Sequence, residues 1–405
     1  MTSVARLAAV LAAMAFLILG GPAPAGASGA PVRVSSTVSY EEIGRWDAAK
    51  LNGILTKDAP AFFGIDVTYT PAVNAVRLYR ITYGSVVPEK GNQPIVATGL
   101  LAVPDTGGKS FPLLSYQHGT VYGKEQVPSF PEQSTETQLA LAQFAGQGYV
   151  VIGADYFGMG ASTEPEGYVV KASQQQAPFD MLLASNAVLE HLGIETTKLF
   201  LGGWSQGGYV TMAFLQRLEE SGVKVDAAAT ASAPVDVYAL LSGNLDFPRE
   251  NDATWMPTIF ILAAFSYENY YGVPGLARSL IKDEYYEAAR KLYEREPVEA
   301  KDIPTKVSEL VRKDYFDPTF FGRSVLGRLA AGNDVYRWII RTPVRNFYGE
   351  SDEAIPTNLG RLAMTYQQAI GSGNTAVEAV STGETTHRGT YAKSVPLWKS
   401  WFDGL

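Results

Sequence analysis

The 405-residue sequence has no cysteine, only three histidines, and charge on just 18% of its positions. Without cysteine there can be no disulfide scaffold, no thiol nucleophile, no thiolate metal site and no lipid anchor through a lipobox cysteine. His118, His191 and His387 leave almost nothing from which to build a polyhistidine metal centre, and no metal or other cofactor is expected. Any histidine chemistry must fall to one of these three. Low charge combined with 46% hydrophobic residues is the composition of a packed globular chain and excludes a disordered one. A formal charge of −8 argues against nucleic acid or an anionic membrane surface as partner.

Long apolar runs are scarce too. The one at the start, Leu7 to Leu19, follows Arg6 and precedes Ala25-Gly26-Ala27, the pattern of a secretory signal peptide cleaved near Ala27. It is too short to span a bilayer core of ~30 Å. No other stretch reaches 18 apolar residues, so residues 28 onward are expected to be exported, periplasmic or extracellular, with no membrane span.

What the chain does have is alternation. After a polar lead-in (Ser35 to Pro60), strand-like Val76–Val86, Ile95–Val103 and Phe111–Gln117 precede a helix over Thr135–Gly146 and the apolar run Tyr149–Gly153. Helix Pro178–Leu192, strand Lys198–Gly203, helix Gln206–Glu220 and strand Val225–Ala233 follow. Strand Val344–Gly349, helix Thr357–Ile370, strand Thr375–Val380 and a helix around Tyr391–Phe402 complete the series. Such alternation predicts an α/β fold, a mostly parallel sheet with helices on both faces. It breaks between 238 and 338, a stretch rich in aromatics without a strand-like run, which predicts a helical insertion with its own small core. The expected organisation is a signal segment over 1–27, a core over 28–237 and 339–405, and the insertion over 238–338.

The sharpest motif is Gly203-Trp204-Ser205-Gln206-Gly207, a G-x-S-x-G set between a strand and a helix. A strand turning straight into a helix forces the central serine to positive φ and crowds its neighbours, so Gly203 and Gly207 must be small. The turn exposes the Ser205 hydroxyl and puts the helix N-terminus and the Gln206 N–H beside it, where an oxyanion would be stabilised. A serine needs a base. In this constellation the chain order is serine, acid, histidine, which selects His387, in the loop Thr385-Thr386-His387-Arg388, over the earlier His118 and the helix-end His191. Asp352, leaving strand Val344–Gly349, is the natural acid, with Glu350 and Glu353 close by and Asp236 after the preceding strand as the other possibility. A second oxyanion donor is expected from the loop after Phe111–Gln117, Thr120 N–H first and Gly119 N–H second, with His118 bracing that loop.

Together, Tyr116-Gln117-His118-Gly119-Thr120, Asp155-Tyr156-Phe157-Gly158-Met159-Gly160, the serine turn, Gly349-Glu350-Ser351-Asp352 and Thr386-His387 resemble the α/β-hydrolase superfamily from about Val76 onward. The pattern is most similar to secreted bacterial lipases and esterases with a helical cap, close to the secretory lipases. The resemblance implies a cap or lid over 238–338, a structural role for Asp155, and a serine hydrolase cleaving lipid-like or small-molecule carboxylic esters. Trp204 departs from the histidine or tyrosine many relatives carry there, and its bulk is expected to narrow the space beneath the nucleophile. Two other activities on this fold stay open, a serine peptidase of aminopeptidase type and an acyltransferase. A peptidase needs an acid for the substrate amine, and the insertion offers Glu268, Asp283 and Glu284.

Overall fold

The computed structural model describes residues 30–405 except Asn374. The expected signal segment therefore lies outside the described residues. Ten strands form one sheet among the described residues: β1 (Val32–Arg33), β2 (Val38–Trp46), β3 (Val76–Val87), β4 (Gln93–Pro104), β5 (Ser110–Gln117), β6 (Val150–Ala154), β7 (Glu195–Trp204), β8 (Ala227–Ala231), β9 (Val344–Tyr348) and β10 (Val377–Ser381). Their order is β1-β2-β3-β4-β6-β5-β7-β8-β9-β10. The first four and the β4–β6 junction are antiparallel, and everything from β6 to β10 is parallel.

Parallel neighbours need crossovers, and the helices between them cover both faces. α4 (Lys171–His191), α5 (Gln206–Glu220) and α13 (Thr357–Ala369) pack on one face, with Met181, Val210 and Leu359 buried there. α3 (Thr135–Gln143) and α14 (His387–Asp403) cover the other, burying Leu139, Val395 and Trp398. The period-two alternation of strands sorts neighbouring residues between the faces, Leu201 to the first and Phe200 to the second.

Two expectations need correction. The lead-in is structured: β2 pairs along β3, and α1 (Ala48–Gly53), a π turn (Ile54–Asp58) and α2 (Ala59–Phe63) run on to put Phe63 against Trp204 and Tyr391. β2 hides in the sequence because a bulge between Glu42 and Gly44 breaks its alternation and most of its side chains are only half-buried. α4 starts at Lys171, not Pro178, which sits inside the helix. Its first turns bury Ser173 and Gln174, whose side chains bond Glu89 and the Gly167 carbonyl, so no apolar stripe marks them.

Between β8 and β9 lie α6 (Val237–Asp246), α7 (Met256–Tyr271), α8 (Leu276–Leu280), α9 (Asp283–Tyr293), α10 (Val307–Leu310), α11 (Pro318–Arg323) and α12 (Val325–Gly332). The helical character is as expected. The separate core is not: Phe260, Tyr267 and Phe321 belong to the same continuous apolar cluster as Ile152 and Leu201 of the sheet. The cause is α7, apolar around nearly its whole circumference, which packs inward as well as outward. Polar ties join it to the loop after β6, with the Tyr168 N–H donating to Ser266 Oγ at 2.9 Å and the Tyr270 hydroxyl to the Pro165 carbonyl at 2.8 Å. No described helix is long and apolar enough to cross a membrane.

Candidate active site

β7 ends at Trp204 and α5 begins at Gln206, so Ser205 makes the whole turn, at φ 57° and ψ −122°. Both glycines are sterically obligatory. A Cβ on Gly207 would stand 1.9 Å from the Gln117 carbonyl oxygen, and one on Gly203 2.2 Å from that of Gly207. The reason is register: Gln117 at the end of β5 pairs with Gly203, so β5, β7 and the start of α5 meet there. As the first residue of α5, Gln206 has an N–H with no partner in the preceding turn, free to face an anion.

His387 opens α14, with the Thr386 side chain capping the helix through the Gly389 N–H. Its Nε2 lies 2.9 Å from Ser205 Oγ, and its Nδ1 lies 3.1 Å from each carboxylate oxygen of Asp352. Oδ1 of Asp352 accepts the Ala354 and Ile355 N–H groups at 2.8 Å, and Oδ2 accepts the Ser232 hydroxyl at 2.6 Å. The three residues are nearly enclosed, 9% exposed at Ser205, 4% at His387 and 3% at Asp352. Burial disfavours the His387 cation, but the Asp352 charge and hydrogen bond outweigh it and hold the imidazole pKa above its usual value. Burial likewise pushes Asp352 up, yet its imidazole and hydrogen-bond donors together hold the carboxyl below the usual range.

The rival acids stand elsewhere. Asp236 caps α6 through the Ala239 N–H and accepts the Tyr336 hydroxyl. Glu350 accepts Ser381 Oγ, while Glu353 accepts the His387 backbone N–H at 2.9 Å and so fixes the start of α14. His118 is buried and stacked on Tyr156, and burial pushes its pKa down to about 4. That fits a brace. His191 ends α4 beside Tyr40. Asp155 ties β4 to two loops by accepting Thr98 Oγ1, Ser129 Oγ and the Ser129 N–H.

Gly119 N–H, the second choice for an oxyanion donor, is committed: it donates to both oxygens of Glu136, at 3.1 and 2.9 Å. That alternative is withdrawn, and Thr120 N–H remains the expected donor. Trp204 does not merely fill space beneath the serine. It stacks on Tyr391, and its Nε1–H donates to the His387 carbonyl at 3.1 Å. Of the insertion's aromatics, Phe260, Tyr267, Tyr270 and Phe321 are packed core, whereas Trp255 lies 5.7 Å from the His387 ring.

Three residues escaped sequence reasoning. Ser232 carries no local signal, since only the fold brings β8 beside β9. Glu136 reads as an ordinary acid in a helix's first turn. Arg249, whose guanidinium donates to the Asp352 carbonyl at 3.0 Å, sits among unremarkable charges at the base of the insertion. Among the described residues no cluster of histidines and carboxylates is placed to hold a metal ion.

A family profile described as serine aminopeptidase, S33, matches residues 127–261, a third of the chain. That span holds Ser205 but neither Asp352, His387 nor Thr120. The fold is similar to that of a putative hydrolase from Legionella pneumophila, with 20% identity, a TM-score of 0.77 and coverage of 92% of this chain and 98% of that one. It is also similar to the rice cell wall degrading esterase LipA from Xanthomonas oryzae (21% identity, TM-score 0.74, 93% and 97% covered). Candida antarctica lipase A is more distant, at 14% identity and TM-score 0.58 with 85% and 77% covered.

Proposed function

We propose that this chain, which has the α/β-hydrolase fold, is an exported serine hydrolase that cleaves carboxylic esters through an acyl-enzyme. The observation that carries this is the unbroken relay from Ser205 Oγ to His387 Nε2 at 2.9 Å and from Nδ1 to Asp352 at 3.1 Å. Ser205 Oγ attacks the ester carbonyl while His387 Nε2 takes its proton. Asp352 holds the Nδ1–H tautomer and stabilises the imidazolium. The carbonyl oxygen becomes an oxyanion facing the Gln206 and Thr120 N–H groups, and His387 returns its proton to the departing alkoxide. Water, deprotonated by the same imidazole, then attacks the acyl-serine, and the acid leaves with Ser205 regenerated. The insertion acts as a cap: Trp255 beside His387, together with the low exposure of all three residues, keeps water scarce at the reacting carbonyl.

Similarity to an esterase and a lipase supports an ester as substrate. One observation favours a peptidase, the aminopeptidase description of the matching profile. Against it, two of the three acids the insertion offers are already engaged, Glu268 with the Ala277 N–H and Asp283 with Arg312, which leaves Glu284 as the one amine anchor to test. Ser205→Ala is expected to abolish p-nitrophenol release from short and medium acyl esters with an unchanged circular dichroism spectrum. A fluorophosphonate is expected to label Ser205. Undiminished ester turnover in that variant would overturn the proposal. Preferential cleavage of aminoacyl anilides would move it to the peptidases, and transfer to an added alcohol in preference to water to the acyltransferases.

A further inference from the structure

Glu136 is a buried carboxylate that the esterase mechanism does not use. It stands in the first turn of α3, where its oxygens accept the Gly119 N–H at 2.9 and 3.1 Å and the Tyr116 hydroxyl at 2.8 Å. Its backbone carbonyl in turn accepts the Tyr391 hydroxyl at 3.1 Å, so α3, β5 and α14 converge on one residue. On the other side of Gly119, His118 Nδ1 lies 2.8 Å from the Gly119 carbonyl oxygen and Nε2 3.2 Å from the Asp155 carbonyl oxygen; the neutral ring has one proton for these two acceptors, and the shorter contact assigns it to Nδ1. Both polar groups of Gly119 are thus anchored, N–H on Glu136 and C=O on His118.

This matters because Gly119 C=O and Thr120 N–H belong to one trans peptide and point in opposite directions. Fixing the carbonyl on His118 fixes where the Thr120 N–H aims. Glycine has the widest backbone freedom of any residue, and an unanchored Gly119 would let that N–H wander. The loop is also walled: a Cβ on Gly119 would come within 3.2 Å of Trp204 and 3.3 Å of Glu136. We infer that Glu136 is a positioning residue for the oxyanion hole, holding Gly119 so that the Thr120 N–H is preorganised for the tetrahedral intermediate. The inference rests on the esterase proposal and deepens it.

A carboxylate suits the task better than an amide. Ionised, it is acceptor-only and can take the Gly119 and Tyr116 donors together. Protonated, it places its own O–H among them and competes for the Gly119 anchor. Burial pushes its pKa up to about 7, opposed by the Gly119 and Tyr116 hydrogen bonds and by His387 and Arg388 of α14. Tyr116 of β5, Tyr391 of α14 and Tyr156 after β6 are the other titratable groups around it, all pushed above the usual tyrosine range. The oxyanion loop should therefore tighten as pH rises through neutrality, alongside deprotonation of His387.

The test measures ester turnover per active site, with sites counted by fluorophosphonate labelling of Ser205. Glu136→Ala is expected to lower kcat about 10- to 100-fold with KM within about twofold, because an oxyanion contact acts in the transition state only. Affinity for an alkyl boronic acid, which forms a tetrahedral adduct on Ser205, should weaken by the same factor. Glu136→Gln keeps an acceptor for Gly119 and is expected to restore most of kcat at pH 8. It should also make the acid limb of the kcat/KM profile less steep by one proton. Wild-type kcat per labelled site in Glu136→Ala would overturn the inference. If that variant fails to fold, an acid limb in Glu136→Gln identical to that of the wild type overturns it equally. A wild type neither labelled on Ser205 nor active on esters would instead sink the esterase proposal, and this inference with it.

Discussion

Asp352 shows how much of a residue's role lies in its neighbours. Ala354, Ile355 and Ser232 supply three donors that keep the carboxylate ionised and leave its oxygens pointed at His387 Nδ1. An asparagine there can present an N–H to Nδ1 and stabilise the wrong tautomer, so Asp352→Asn is expected to lower kcat by about 10³- to 10⁴-fold without unfolding the protein. The pH profile carries a sign. In the proposed mechanism His387 must be neutral to accept the serine proton, and Asp352 holds its pKa above the usual 6.5. Ester kcat/KM should therefore rise with pH along a limb centred above 6.5. In Asp352→Asn the raising influence is gone while burial remains, and the limb should move down. A titration of initial rates between pH 5 and 9 reads both effects. At this scale Ser205 and His387 were legible because chain order and turn context admit few alternatives. Asp352 could not be separated from Glu350 and Glu353 by spacing alone, because what distinguishes them is which backbone N–H groups and which strand they face. Glu136 was illegible for a similar reason: its partner Gly119 is local in space and 17 residues away in sequence.

The serine turn and the elements around it carry the steric demand. Gly207→Ala drives a methyl into the Gln117 carbonyl, backbone against backbone, with no flexible side chain to yield. It is expected to cost about 3 kcal/mol or more and to displace the oxyanion loop, seen as a lower denaturant midpoint and loss of phosphonate labelling together. The strand and helix that make this turn were legible, since a buried parallel strand and a helix with a buried face leave clear apolar patterns. The elements that were missed share a physical cause. β2 is bulged and half-buried, and the start of α4 buries polar side chains that satisfy loops, so neither shows the periodicity by which elements are recognised.

At the level of the molecule, the insertion is joined to the sheet by more than its two ends. Arg249 and the Ala253 N–H hold the Asp352 and Glu353 carbonyls, and Arg295 pairs with the buried Glu166 in the loop after β6. Burial pushes the Glu166 pKa up while Arg295 opposes it, so Arg295→Ala strands a carboxyl in an apolar site. The expected loss is about 3 kcal/mol, measured by chemical denaturation, with Ser205, Asp352 and His387 themselves untouched. The missing strand pattern marks the insertion in the sequence, but its union with the sheet's core leaves no such mark. Pairing of Phe260 and Tyr267 with that core depends on which way α7 faces, and an all-round apolar helix does not say.

That single apolar cluster has a thermal consequence. Two modules with separate cores can melt one after the other, each with its own enthalpy. Here, detaching the helices between β8 and β9 would wet both sides of one interior, at about 25 cal/mol for every Å² of apolar surface exposed. Heating should thus give one calorimetric peak whose measured enthalpy matches the van't Hoff value, with loss of helix and of near-ultraviolet ellipticity coinciding. A shoulder that removed only part of the helical signal would mean that the two halves of the interior come apart first.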